Sequence, residues 1–198
     1  PREILESDLI LIWGYNPSST SPHFVPILRE AQRKGAYVVV IDPRRTRSAR
    51  AADLHVRPNP STDAALALGL INLIFEANRH NEAFLEEHTI GWRELRQRAA
   101  GYPVDRVARI TGLDETLIVE LAQRWMDARK PLVKFNDGIQ RSQNGGQTIR
   151  ALLALPAVTG HYGQKGAGAF YSQSSQVVWD GEAVGKFSDC PPQPRMVN

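Results

Sequence analysis

Four clusters of glycines and polar side chains follow a short apolar run or open a helix, and their residue types suit gripping a nucleotide better than breaking a bond. The first is Trp13-Gly14-Tyr15-Asn16-Pro17, after Leu9-Ile10-Leu11-Ile12. Gly14 lets backbone come close to a ligand or simply ends a strand, and the Asn16 amide offers both a donor and an acceptor. The second is Asp42-Pro43-Arg44-Arg45, after Val38-Val39-Val40-Ile41. A carboxylate there is where a doubly wound sheet meets a ribose or base donor, and the arginines can reach a phosphate or form ion pairs on a solvated face. The third is Pro60-Ser61-Thr62-Asp63 ahead of an Ala-rich run. One of Thr62 and Asp63 can cap the coming helix, leaving the other for a purine edge; an Asp suits the amide and amino groups of guanine. The fourth is Gly138-Ile139-Gln140-Arg141, followed by Asn144-Gly145-Gly146, a glycine pair whose N–H groups can face an anion at a helix start. The Gly-rich stretch 160–168 reads either as a cofactor-edge loop or as a flexible exit from a helix. Three other chemistries find no support. The five histidines lack ligand spacing, no Ser/His/Asp set or carboxylate pair stands out, and the single Cys190 excludes an internal disulfide or a multi-thiolate metal site. No catalytic or metal-ligating residue is assigned.

The elements that must carry these clusters follow from periodicity. Leu9–Trp13 is a strand, Pro17–Pro22 a turn, and Phe24–Arg33 a helix stopped by Lys34-Gly35. Tyr37–Ile41 is too continuously β-branched for a half-exposed strand, so it is a central parallel strand, and the three form a right-handed βαβ unit. A short helix over 44–52, a strand over 53–57 and a helix over 64–77 follow; Ala64, Ala65, Ala67 and Gly69 are small enough for close packing on the sheet. Helical stretches 82–88, 92–99, 104–111 and 114–129 precede a strand at 131–135 and a helix at 144–161, and the remainder is rich in Gly, Ser and Pro. The pattern predicts an α/β, three-layer, doubly wound fold with a mostly parallel sheet, in 1–168, and a loop-rich extension, 169–198.

Length and composition set the outer bounds. With 198 residues and 42% hydrophobic content, the chain is enough for one sizeable domain with its own core, or one domain plus a small appendage. The net charge of +3 gives no reason to expect wholesale nucleic-acid binding, although 19 of the 24 basic residues are Arg, which suits bidentate contacts. No apolar run approaches bilayer length, so no direct membrane insertion is expected. The chain lacks an initiator Met and reads as a piece of something longer. No G-x-G-x-x-G follows either early strand, which disfavours ordinary NAD or FAD binding.

In order and spacing these pieces resemble the molybdopterin oxidoreductase family that includes dimethyl sulfoxide reductase, formate dehydrogenases, nitrate reductases and thiosulfate or polysulfide reductases. The resemblance rests on Trp13-Gly14-Tyr15-Asn16-Pro17 with Thr20, Pro22 and His23; Ile41-Asp42-Pro43-Arg44-Arg45-Thr46 with Ala49, Ala52 and Asp53; and Pro60-Ser61-Thr62-Asp63-Ala64-Ala65-Leu66. His88-Thr89-Ile90-Gly91, Ile110-Thr111-Gly112, Gly138-Ile139-Gln140-Arg141 and Asn144-Gly145-Gly146 through Thr159-Gly160 extend it over most of the chain.

The resemblance implies a Rossmann-like segment of a larger enzyme that holds one molybdopterin guanine dinucleotide carrying Mo or W. Gly14, Tyr15, Asn16 and His23 would lie near its pyrophosphate and guanosine, Asp42, Pro43 and Arg44 would line the nucleotide cleft, and Ser61, Thr62 and Asp63 would meet the guanine. Gly138, Gln140 and Arg141 would face the pterin. It further implies an iron-sulfur cluster in a region upstream, an iron-sulfur electron-transfer subunit and the rest of the polypeptide as partners, a prokaryotic cytoplasmic or periplasmic setting, and no turnover by this segment alone. Two departures carry expectations. Ser61 stands where the family has Gly and must take that backbone shape or leave the loop different. Tyr171-Ser172-Gln173-Ser174-Ser175 lacks the formate-dehydrogenase motif, which counts against formate and leans towards a sulfur-compound or N/S-oxide reductase, or a related dehydrogenase. The rival readings are an NAD- or FAD-type enzyme domain and a non-catalytic module whose Arg44–Arg57 face binds an acidic partner or nucleic acid.

Overall fold

The computed structural model describes residues 2–171. Its sheet has five strands, all parallel: β1 (Leu9–Trp13), β2 (Tyr37–Ile41), β3 (Leu54–Val56), β4 (Pro131–Phe135) and β5 (Gly168–Phe170), in the order β3-β2-β1-β4-β5. The expected doubly wound α/β fold is therefore present. Strand β1 is buried along its whole length because apolar side chains leave both faces. Leu9, Leu11 and Trp13 join one core with Val39, Ile41, Val133 and Phe135. Ile10 and Ile12 join a second core with Val38, Val40 and Leu132.

The helices divide between these faces. A 3₁₀ turn (Arg2–Glu6), α1 (Pro17–Thr20), α2 (Phe24–Arg33) and α3 (Arg47–Arg50) serve the second core; Leu28 and Ala31 of α2 and Ala49 of α3 sit in it. Helices α4 (Asp63–Glu76), α5 (Glu82–His88), α6 (Trp92–Ala100), α7 (Val104–Thr111), α8 (Glu115–Asp127) and α9 (Gly145–Val158) serve the first. Helix α4 is apolar nearly all round because α6, α7, α8 and α9 enclose it. Its Gly69 packs on α7 rather than on the sheet: a Cβ there would lie 2.6 Å from Val107 Cγ2.

Chain direction reverses its sideways course between β1 and β4, and this switch point is where an open α/β sheet leaves a crevice outside the carboxyl ends of its strands. Three elements depart from the sequence reading. Pro17–Thr20 forms a short helix, and the helix expected over 44–52 shortens to four residues, capped by Thr46, whose hydroxyl accepts from the Ala49 amide at 3.1 Å. Part of the Gly-rich tail pairs with β4 as β5. The connection through Gly160–Ala167 joins the end of α9 to the start of β5, so it lies at the amino edge of the sheet. There Ser7 Oγ donates to the Gly166 carbonyl at 2.5 Å. The loop is thus structural, and it is not on the cofactor edge.

Candidate functional site

Parallel pairing brings the four clusters to one rim, because each follows a strand or precedes the helix that returns from it. Gly14, Tyr15 and Asn16 leave β1; Asp42, Pro43 and Arg44 leave β2; Ser61, Thr62 and Asp63 close the link from β3 to α4; Gly138, Gln140 and Arg141 leave β4. His23 stands at the N-cap of α2, exposed and without a capping side-chain bond.

Several of these side chains serve the scaffold. Gly14 has φ +55°, and a Cβ there would meet Ile139 Cδ1 at 2.5 Å; one on Gly138 would meet the Gly14 carbonyl oxygen at 2.5 Å. The turns after β1 and β4 therefore interlock at the switch point, and the close approach that Gly14 permits is to Ile139, which fills the gap. Asn16 spends both amide functions within the protein: Nδ2 donates to Ser19 Oγ at 3.0 Å and Oδ1 accepts from Ser48 Oγ at 2.9 Å. Since the single Ser48 proton goes to Asn16, Ser18 Oγ, 2.9 Å away, is the donor to Ser48. This network, which ties α1 to α3, is invisible in the sequence because Ser48 is buried only by the fold. Tyr15 is buried as well, packed on Phe24.

The acidic groups are placed differently. Asp42 Oδ1 accepts from the Arg44 amide at 2.7 Å, a local Asx turn that shapes the loop, and the Asp42 carbonyl accepts from His55 Nε2 at 2.9 Å. Asp63 Oδ1 accepts from the Trp13 indole N–H at 2.7 Å, joining the end of β1 to the start of α4. Neither expected cap forms: Thr62 occupies the N-cap position, but its hydroxyl donates to the Asn59 carbonyl at 2.6 Å, and Asp63 belongs to Trp13. Burial pushes the Asp63 acid above the ordinary carboxylate value; the Trp13 hydrogen bond and its own amide pull it back, and the Asp42 charge raises it further. Of the two outcomes open to Ser61, a glycine-type backbone or a different loop, it takes the left-handed backbone, with φ +65°.

The glycine pair after β4 is also divided. Gly145 donates its N–H to the Ser142 carbonyl at 3.0 Å, and a Cβ on it would lie 2.2 Å from the Gln140 oxygen, whereas Gly146 has nothing within 4 Å. The Gln140 side chain accepts from the Tyr171 hydroxyl. Arg44, Arg45 and Arg141 are exposed, and none joins any of the eight ion pairs among the described residues. Asn136, just past β4, holds a buried Oδ1 with no hydrogen-bond partner. An acceptor stranded in this way is a group that a bound molecule would complete. The rim therefore presents two carboxylates towards donors and guanidiniums that join none of those ion pairs, with a buried, unpartnered amide oxygen just past β4. That set fits a guanosine phosphate.

The family model for molybdopterin oxidoreductases matches residues 2–186. The chain belongs to the molybdopterin oxidoreductase family. It is 36% identical over 184 residues to the probable oxidoreductase YoaE of Bacillus subtilis, which covers 93% of this chain and 27% of that protein. It is 32% identical over 167 residues to formate dehydrogenase H of Escherichia coli, 84% of this chain and 23% of the relative. The solved structure of acetylene hydratase from Pelobacter acetylenicus superposes with a TM-score of 0.74 at 31% identity, over 81% of this chain and 22% of that one. This molybdopterin oxidoreductase chain thus spans about a quarter of the length of the relatives it matches. Their names point to formate and acetylene, and the lean towards sulfur compounds or N/S-oxides finds no support among them. Most of the motif behind that lean, residues 172–175, lies outside the described residues. Among the described residues, no helix is long and apolar enough to cross a membrane.

Proposed function

We propose that this chain holds the guanosine and pyrophosphate arm of a molybdopterin guanine dinucleotide within a larger oxidoreductase. The observation that carries the reading is Asp63, a carboxylate kept at the carboxyl edge of the switch-point sheet at a cost from burial and from Asp42. Carboxylates perturbed in this way cluster at functional sites. Guanine offers an N1–H and an N2 amine side by side, and a carboxylate is the acceptor that matches both. Asp42, beside it, suits a ribose hydroxyl, and Arg44 suits the phosphates. The Trp13 indole fixes the Asp63 rotamer, so the base would meet a preorganised acceptor. When bound, the group supplies two-electron redox chemistry at Mo or W, and this segment orients it. An iron-sulfur cluster, an electron-transfer subunit and the metal ligand belong, on this reading, to other parts of the enzyme, and the segment alone turns nothing over.

The test is calorimetric titration of the chain with guanosine, GDP and adenosine. Guanosine and GDP should bind and adenosine should not, because adenine lacks the paired donors. Asp63→Ala should abolish the preference while leaving the circular dichroism spectrum intact. Equal affinity for adenosine, or guanosine binding that survives Asp63→Ala, would refute the reading.

A further inference from the structure

Among the described residues, Lys134 is the one Lys, Arg, Asp or Glu in the five strands, and it sits next to the carboxyl end of β4 at the switch point. Leu132 faces the second core while Val133 and Phe135 face the first, so strand alternation turns Lys134 towards the face of Tyr15. Its Nζ stands 5.2 Å from the centre of the Tyr15 ring, and the nearest acceptor, the Phe135 carbonyl, is a marginal 3.5 Å away. No carboxylate lies within ion-pair distance among the described residues, although Lys34 and Lys130 each have one, Glu30 and Glu6. Burial lowers the affinity of Lys134 for its proton, and Asp137 only partly offsets this. Its neighbour across the ladder, Phe170, is left exposed on β5. On this face, among the described residues, α3 packs on β2 and β3. A half-buried ammonium in an apolar strand, held over an aromatic ring and lacking its counter-ion, is a site short of one anion.

We propose that Lys134 binds a phosphoryl oxygen at the switch point, pairing with the diphosphate of the nucleotide whose guanine meets Asp63. This rests on the guanosine reading above and adds the residue that neutralises the phosphate. A lysine suits the role as a compact point charge with three donors, and its Nζ stands by the Tyr15 ring, itself packed against Phe24.

The test uses the whole chain with its lysines ¹³C-dimethylated and followed by NMR, the Lys134 signal being assigned by its loss in Lys134→Arg. Pyrophosphate and GDP should each shift the Lys134 signal, and guanosine should leave it in place. Calorimetry of the unlabelled protein should show Lys134→Met weakening GDP by about tenfold or more with guanosine unchanged, and Lys134→Arg recovering most of the loss. A Lys134 signal that stays still with pyrophosphate and GDP, or full GDP affinity in Lys134→Met, overturns the proposal. The two readings fail separately. A response to pyrophosphate without guanosine binding keeps the anion site and removes the guanine reading. Guanosine binding that needs Asp63 while Lys134 stays silent does the reverse.

Discussion

Gly145 and Gly146 open the same helix, yet alanine at the two positions should act in opposite directions. A Cβ on Gly145 would fall 2.2 Å from the Gln140 carbonyl oxygen and 2.6 Å from its carbon. Carbon and oxygen sit comfortably at roughly 3.3 Å, so the overlap is about 1 Å, and it is with backbone that no rotamer can move. Overpacking of this kind costs about 1–3 kcal/mol, while Ala over Gly in a helix returns about 0.5–1 kcal/mol. The net loss for Gly145→Ala is about 0–2.5 kcal/mol, which in a domain of this size lowers Tm by up to about 10 °C. Gly146 has open space around its Cβ position, so Gly146→Ala keeps only the gain and should raise Tm by about 1–4 °C. Calorimetric melts of the two variants and the parent decide the matter. Because relief at Gly145 must displace the 138–141 turn, the same variant should also weaken GDP binding, and Gly146→Ala should not. A Gly145→Ala protein that melts above the parent would refute the reasoning.

Asp63→Asn keeps an oxygen acceptor for Trp13 and removes a charge held against burial. The folded-state acid lies above its unfolded value, so the native state binds the extra proton and stability falls as pH rises through that window; Asp63→Asn should therefore be the more stable protein at pH 7 in urea titrations and lose that advantage in acid. Ser61→Gly should gain about 0.5–1 kcal/mol in the same assay, since it releases a left-handed serine at φ +65° at the entropic cost of a glycine. Burial pushes the Tyr162 hydroxyl, which donates to the Leu153 carbonyl at 2.8 Å, up to about 12. Its unfolded form ionises near 10, so stability should fall between about pH 10 and pH 12, and Tyr162→Phe should flatten that slope in pH-dependent melts.

The doubly wound fold was legible because its signals are local. Runs such as Val38–Ile41 can sit only where both faces are buried, and β1, β2 and β4 appear at the predicted places with the predicted ends. The carboxyl-edge clusters were legible for the same reason, since parallel strands all deliver their following loops to one rim. Ser61 was legible only as a choice between a glycine-like backbone and a different loop, and it takes the left-handed backbone.

The sequence by itself therefore determined the class of fold, the rim that carries the site and the residue types on it. Tertiary structure decided what each residue does there. Gly14 and Gly138 face each other across the switch point, Asn16 is consumed by Ser48, and Asp63 is claimed by Trp13, fifty positions earlier in the chain. The Gly-rich loop at 160–167 lies at the opposite edge because α9 runs back along the sheet before β5 begins. Each of these depends on contacts between residues far apart in the chain, and close packing alone decides whether a glycine admits a ligand or a neighbouring turn.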